Sequence, residues 1–260
     1  MEVIVKPTYK DMSAAAAQEV VALLNAKPDA VLGLATGSTP LGLYQELVRL
    51  HKEEGLDFSQ VRTFNLDEYV GLSVKDPQSY YHFMHEHLFQ HINIPSHNIY
   101  IPSGTTGNYQ AFCQWYEDQI DAHGGIDLQV LGIGSDGHIA FNEPTSSLGS
   151  RTRLKTLAKS TIDDNARFFD RREDVPIYAI TMGVGTILDA RDIIMLASGK
   201  NKATAIARTV EGPVTSMITA SALQLHPMTR VYMDVDAASE LEMREYYDWI
   251  QEMMPGSPQS

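Results

Sequence analysis

In the segment Gly132 to Pro144, read as GIGSDGHIAFNEP, two carboxylates and an imidazole stand close together behind the apolar run DLQVL. Side chains two residues apart on extended backbone project to the same side, so Asp136 and His138 can face one another. The Asn142-Glu143-Pro144 turn can bring Glu143 back toward the same ring. An imidazole contacted by carboxylates is fixed in one tautomer and moves protons near neutral pH. The same spacing also suits a turn capped by Asp136 with His138 satisfying buried backbone groups, and spacing alone does not choose. A single imidazole with carboxylates and no cysteine is a poor zinc set, so no metal is expected. Gly132, Gly134 and Gly137 match the dinucleotide pattern G-x-G-x-x-G. The context fails: Pro144 and the β-leaning IAFNEP stand where a helix should begin, and no partner strand ends in an acid about twenty residues on.

Three further places could do chemistry. Thr36-Gly37-Ser38-Thr39-Pro40 follows a strand-like run and precedes a helical one, with Pro40 suited to the first helical position. Free amides there, with the Ser and Thr hydroxyls, form a cradle for a phosphate, although plain turn chemistry gives the same residues. It lacks the G-K-[ST] ending of a Walker loop. Lys202, in SGKNKA, and Arg167, in NARFFD, could supply countercharges. Asp67 closes VRTFNL, where a carboxylate can act as a base or cap a helix. The histidine-rich HFMHEHLFQH fails the H-E-x-x-H zinc pattern and reads as a solvated helix with Phe83, Leu88 and Phe89 inward. Cys113, the single cysteine, reads as a buried inert thiol in a reducing compartment.

The elements that must position these groups alternate along the chain. Strand-like runs EVIV, VLGLA, VRTFNL, NIYIP, DLQVLGIG, IYAIT, DIIMLA and RVYMDV are separated by helical patterns over residues 13–26, 41–54, 79–92, 109–123 and 201–211, with a last helix over about 238–253. This predicts an α/β fold with an open, mostly parallel, Rossmann-like sheet flanked by helices on both faces. In such sheets the turns after the carboxyl ends of the strands meet in one crevice, where ligands bind. At 260 residues a single domain over 1–254 is expected, with 255–260 (PGSPQS after Met254) a frayed tail.

Composition narrows the partners. The formal charge of −13 argues against a nucleic-acid surface, so an anionic ligand must meet local positive charge. No apolar run reaches the ~18 residues of a membrane span. No signal peptide is evident, and a cytoplasmic protein is expected.

The segments LATGSTPLGLY, TFNLDEYVGL, QSYYHFMHEHLF, GIGSDGHIAFNEP, SSLGSRTRLKTL, RFFD, YAITMGVGTILDA and SALQLHP closely resemble the glucosamine-6-phosphate deaminase (isomerase) family, over residues 3 to about 250. The resemblance implies conversion of glucosamine 6-phosphate and water to fructose 6-phosphate and ammonia, without metal, pyridoxal phosphate or nicotinamide. It also implies roles: Asp67 as the enolising base; Asp136, His138 and Glu143 as the ring-opening group; Thr36, Gly37, Ser38, Thr39, Arg167 and Lys202 as phosphate contacts. Ser146, Ser147, Arg153 and Lys155 match part of an allosteric pocket of hexameric members. The short C-terminal portion makes a non-allosteric monomer or low-order homo-oligomer the expectation. Two alternatives share this fold: a 6-phosphogluconolactonase, which needs neither Asp67 nor the NEP ending, and a non-catalytic sugar-phosphate sensor, which normally carries a DNA-binding segment.

Overall fold

The computed structural model describes residues 1–254; the tail segment 255–260 lies outside the described residues. Ten strands and eight α-helices follow one another. They run β1 (Glu2–Lys6), α1 (Tyr9–Ala26), β2 (Val31–Leu34), α2 (Leu41–Glu54), β3 (Arg62–Asn65), β4 (Asp67–Tyr69), α3 (Tyr80–His87), β5 (Ile99–Tyr100) and α4 (Tyr109–Ala122). The second half adds β6 (Leu128–Leu131), β7 (Arg153–Thr156), α5 (Lys159–Asn165), β8 (Tyr178–Thr181), α6 (Val184–Leu188), β9 (Asp192–Ala197), α7 (Ala203–Val210), β10 (Thr229–Asp234) and α8 (Arg244–Met253).

Seven strands form one sheet in the order β1-β10-β9-β6-β2-β3-β5, and all its pairings are parallel. The apolar runs of its strands alternate between two cores, as a sheet buried on both faces requires. Ile193, Met195, Val231 and Met233 pack with Tyr116 and Ile120 of α4, Ile187 of α6 and Ile206 of α7. Their neighbours Ile194, Leu196 and Tyr232 pack on the other face with Met12, Val20 and Leu24 of α1, Leu43 and Leu47 of α2 and Met84 of α3. The open parallel architecture flanked by helices is therefore as the alternation predicts.

After β2 the chain builds outward through β3 and β5; later it returns to the other side of β2 and builds outward through β6 and β9. The connections leaving β2 and β6 thus diverge, and a crevice opens at their carboxyl ends. The turns that flank it are Ala35–Pro40 after β2 and Gly132–Gly137 after β6, the two glycine-bearing segments singled out in the sequence.

Several boundaries differ from the expectations. IYAIT, read as one more strand of the main sheet, is β8 and forms a separate antiparallel sheet with β4 and β7. The chain leaves β3 at Leu66 and enters β4 at once, so Asp67 opens a short strand and caps no helix. The pattern over 79–92 stops at His87, because Leu88 leaves helical dihedrals (φ −139°) and both Leu88 and Phe89 turn into the core. The last helix begins at Arg244 instead of Ala238: the Glu211 carboxylate accepts the amides of Glu242 and Met243, each at 2.9 Å, and holds that stretch outside a helix. Helix α1 starts earlier than expected, with Thr8 Oγ1 accepting from the Asp11 amide at 3.1 Å. Among the described residues no helix is long and apolar enough to cross a membrane.

Gly104 sets how closely the next loop approaches the end of β4. Its amide-bearing neighbourhood is shared with Gly71, whose N–H donates to the Gly104 carbonyl at 2.8 Å, and a Cβ at 104 would meet the Leu72 carbonyl oxygen at 2.7 Å and the Tyr69 carbonyl closer still. Gly104→Ala is therefore expected to lower stability by about 1–3 kcal/mol, the usual cost of overpacking against backbone. Denaturant unfolding of the two proteins measures it.

Candidate active site

A cavity of about 360 Å³ occupies the crevice, and Thr36, Gly37, Ser38, Thr39, Asp67, His138, Arg167 and Lys202 all line it. These residues come from the ends of β2, β3, β6 and β9 and from the segment after α5. Asp136 and Glu143 stand behind His138 and do not line the cavity.

The three glycines of GIGSDGHIAFNEP have distinct tasks. Gly137 adopts φ +88°, the left-handed region that favours glycine, and its N–H donates to the Gly134 carbonyl at 3.1 Å to close a tight turn. The His138 imidazole lies directly over Gly134, so that a Cβ there would come within 2.6 Å of Nε2. Gly132 faces open space in the cavity wall. The glycines admit an imidazole and leave open space, and no helix follows them as a dinucleotide turn requires.

His138 is oriented from two sides. Its Nδ1 stands 2.6 Å from Asp136 Oδ1 and 3.8 Å from Glu143 Oε2. Asp136 Oδ1 also accepts the His138 amide at 3.1 Å, and Glu143 Oε1 accepts the Ala158 amide at 2.9 Å. Glu143 Oε2, buried, has no hydrogen-bond partner and remains free to answer charge on the ring. Partial burial acts to raise the Asp136 pKa, but the His138 ring and amide outweigh it and hold the carboxyl below its ordinary value, keeping it anionic. The loop after His138 is pinned: Asn142 Nδ2 donates to the Ile139 and Met182 carbonyls at 3.0 and 2.9 Å, and the Phe141 amide to Thr181 Oγ1 at 3.1 Å. Ala140, a cavity-lining residue between them, is held at φ +50°, a conformation that costs a non-glycine residue energy and commonly marks a functional loop.

By distance alone Asp136, His138 and Glu143 could share a cation, their ligand atoms lying within 4.8 Å of one another. One imidazole and two carboxylates make an unselective set, and backbone amides already hold one oxygen of each acid.

Asp67 is buried, with 6% exposure, yet borders the cavity. Burial first, and then the neighbouring Glu68 charge, push its pKa well above the ordinary aspartate value. A carboxyl so placed is a stronger base than one in water.

The turn after β2 is shaped for an anion. Gly37 sits at φ +107° and opens onto free space, and the fourteen-residue α2 starts directly behind it with Pro40 as its N-cap. Two tyrosines brace this loop from behind. The Tyr44 hydroxyl donates to the Ala35 carbonyl at 2.5 Å, while the Tyr9 hydroxyl accepts the Gly42 amide at 2.6 Å and lies within 3.0 and 3.1 Å of the Thr39 and Ser38 carbonyls. Opposite, burial lowers the Lys202 pKa, partly offset by Asp164, and Arg167 lies exposed with its guanidinium 4.7 Å from the Phe168 ring. Tyr80, which sequence reasoning passed over, also lines the cavity and stacks on Phe141 at 6.1 Å. Its position on a helical run gave no cue that it faced a ligand.

Ser146, Ser147, Arg153 and Lys155 differ in their surroundings. Ser146 is buried, Ser147 is exposed, and of the four only Arg153 lines a second cavity, of about 700 Å³, between α4 and β7. Cys113 lies in that wall, buried, and burial raises its thiol pKa.

The fold, with its cavity at the carboxyl edge of a parallel sheet, is shared with a class of sugar-phosphate enzymes. The family model described as glucosamine-6-phosphate isomerases/6-phosphogluconolactonase matches residues 7–235, and the chain belongs to this family. Within it, the sequence is 53% identical to a glucosamine-6-phosphate deaminase of Hahella chejuensis (strain KCTC 2396) over 96% of each chain. It is likewise 53% identical to that of Arthrobacter sp. (strain FB24), over 95% of each. A solved structure described as a monomeric glucosamine-6-phosphate deaminase superposes with a TM-score of 0.91 at 46% identity, covering 92% of this chain and 100% of that one. A 6-phosphogluconolactonase from Trypanosoma brucei, with a TM-score of 0.74, 22% identity and coverage of 92% and 98%, shares the fold.

Because the imidazole rests on Gly134, Gly134→Ala is expected to displace it from Asp136 while leaving the global fold intact. Side-chain nitrogen chemical shifts of His138 report the change; an unmoved ring together with an unchanged unfolding midpoint would contradict the packing.

Proposed function

We propose that this protein deaminates and isomerises glucosamine 6-phosphate, giving fructose 6-phosphate and ammonia. The observation that carries the reading is that Asp67 and His138 border one cavity whose rim gathers Thr36–Thr39, Arg167 and Lys202. The identity of about half the residues to deaminases supports the same reading. A lactonase would use neither Asp67 nor the Asn142-Glu143-Pro144 turn.

The phosphate binds the amides and hydroxyls of the β2–α2 turn, with Lys202 and Arg167 as countercharges. Binding a dianion beside Lys202 offsets the burial that otherwise disfavours its charge. Held at that end, the sugar presents C1 and C2 to the two acid/base groups. The C2 hydrogen of a closed pyranose is hardly acidic, so ring opening comes first. His138, held by Asp136 and Glu143, transfers a proton between the anomeric hydroxyl and the ring oxygen. Asp67 then removes the C2 proton from the open-chain aldehyde, forming an enolamine, and returns a proton to C1. The resulting C2 iminium takes up water and releases ammonia. The substrate carbonyl is the electron sink, so no cofactor is assigned.

We further assign the enzyme to the cytoplasm, as a single domain acting as a monomer or low-order oligomer without allosteric activation. A relative described as monomeric supports this.

Ammonia release from glucosamine 6-phosphate tests the reaction, with and without N-acetylglucosamine 6-phosphate to test activation; acid release from the lactone with no ammonia would overturn the reading. Asp67→Asn is expected to retain binding, lose C2 hydrogen exchange with solvent, and lower kcat by roughly 10²–10⁴-fold. His138→Gln should slow the pyranose more than an acyclic analogue, and equal losses on the two would remove ring opening from His138.

A further inference from the structure

Beside Asp67 lies a second buried carboxylate that the reaction does not use. Glu68 is 2% exposed, and the strand alternation of β4 turns it away from Asp67. Its Oε1 accepts the amides of Tyr69 at 2.8 Å and Tyr80 at 3.0 Å; its Oε2 accepts that of Tyr81 at 2.9 Å. Two of these belong to the first turn of α3, whose N–H groups have no partner within the helix. Ser79, the N-cap of α3, satisfies only the His82 amide, at 3.1 Å. The carboxylate therefore acts as an internal anion at the start of α3, joining β4, which carries Asp67, to the helix that carries Tyr80.

Tyr80 is what this junction presents to the cavity. Its ring lies 4.9 Å from that of Tyr69 and it borders the cavity together with Asp67 and Thr36 of the β2–α2 turn. One buried side chain thus joins the strand that carries Asp67 to the helix that carries Tyr80. We propose that Glu68 is a positioning residue, which clamps the first turn of α3 to β4 so that Tyr80 and Asp67 keep their places across the cavity. The proposal rests on Asp67 being the base of the reaction proposed above.

The clamp needs the anion, since a protonated carboxyl gives up acceptor capacity toward three amides. The titratable groups around it are Asp67 and Tyr69 on its own strand, Asp76 ahead of α3, and Tyr80 and Tyr81 on α3; Ile180 faces it from β8. Among the described residues no ion pair joins Glu68 to a cation. Burial is the largest influence and the three amides oppose it, leaving the Glu68 pKa raised to about 7. The sign follows: the clamp is set above that pH and loosens below it.

Two measurements test this separately from the reaction itself. In the wild-type protein without substrate, the hydrogen-exchange protection of the Tyr80 and Tyr81 amides, corrected for intrinsic rates, should fall as pH drops from about 8 to about 5.5; constant protection over that range overturns the clamp. In steady-state kinetics, Glu68→Gln removes both the titrating clamp and the charge that raises the Asp67 pKa. Its kcat/KM should fall about tenfold at the alkaline plateau, and its acid limb should move to lower pH by about half a unit or more. A folded variant with the wild-type limb overturns the proposal. In the Tyr80→Phe background the same substitution should cost less than in wild type, and strictly additive losses count against action through Tyr80. Absence of ammonia release from the wild-type enzyme would sink the reaction while leaving the exchange result standing.

Discussion

Divergence of the chain on either side of β2 is the constraint from which the rest follows. Parallel strands need crossovers, and a crossover cannot fill the space directly above a point where neighbouring connections part. The unfilled space is the crevice, and the turns after β2 and β6 border it. A glycine-bearing turn after β2 opens onto free space and another after β6 becomes a seat for an imidazole. The flanking strand ends contribute Asp67 and the Lys202 turn, so groups far apart in sequence converge without any long loop.

Electrostatics then divides the crevice. A protein with a net charge of −13 accepts an anion only where local donors override the general field. Thr36–Thr39, Lys202 and Arg167 gather hydroxyls and two cations at the cavity, while carboxylates stand elsewhere around it: Asp67 in its wall, Asp136 and Glu143 about His138. Desolvation separates the duties of these acids. Asp136, in contact with an imidazole, is held below its ordinary pKa, whereas burial and then the Glu68 charge raise that of Asp67. Nearby carboxyls with different partners thus suit different proton transfers.

Much of this arrangement was legible in the sequence because strong local signals coincide with it. Strand alternation placed the parallel sheet, and the turns at its carboxyl edge identified the residues that line the cavity. What stayed hidden depends on partners distant in sequence. The small antiparallel sheet escaped notice because RLKT lacks an apolar period and DEY is only three residues long. Tyr9 braces the phosphate turn from thirty residues away, and nothing near it announces that task. Gly134 looked like part of a nucleotide fingerprint, and only the imidazole above it explains the missing side chain. Glu68 likewise gives no sign in the sequence of the three amides that surround it.

The pairing at one edge of the main sheet bears on how the molecule comes into being. β1 hydrogen-bonds to β10 alone, residue 2 against residue 230 and residue 6 against residue 234. During translation β1 must therefore wait until β10, more than 220 residues later, has been made before this ladder can form. Until then its neighbours in the nascent chain offer helix-to-helix contacts between α1 and α2 but no place in the sheet, and the finished edge closes last.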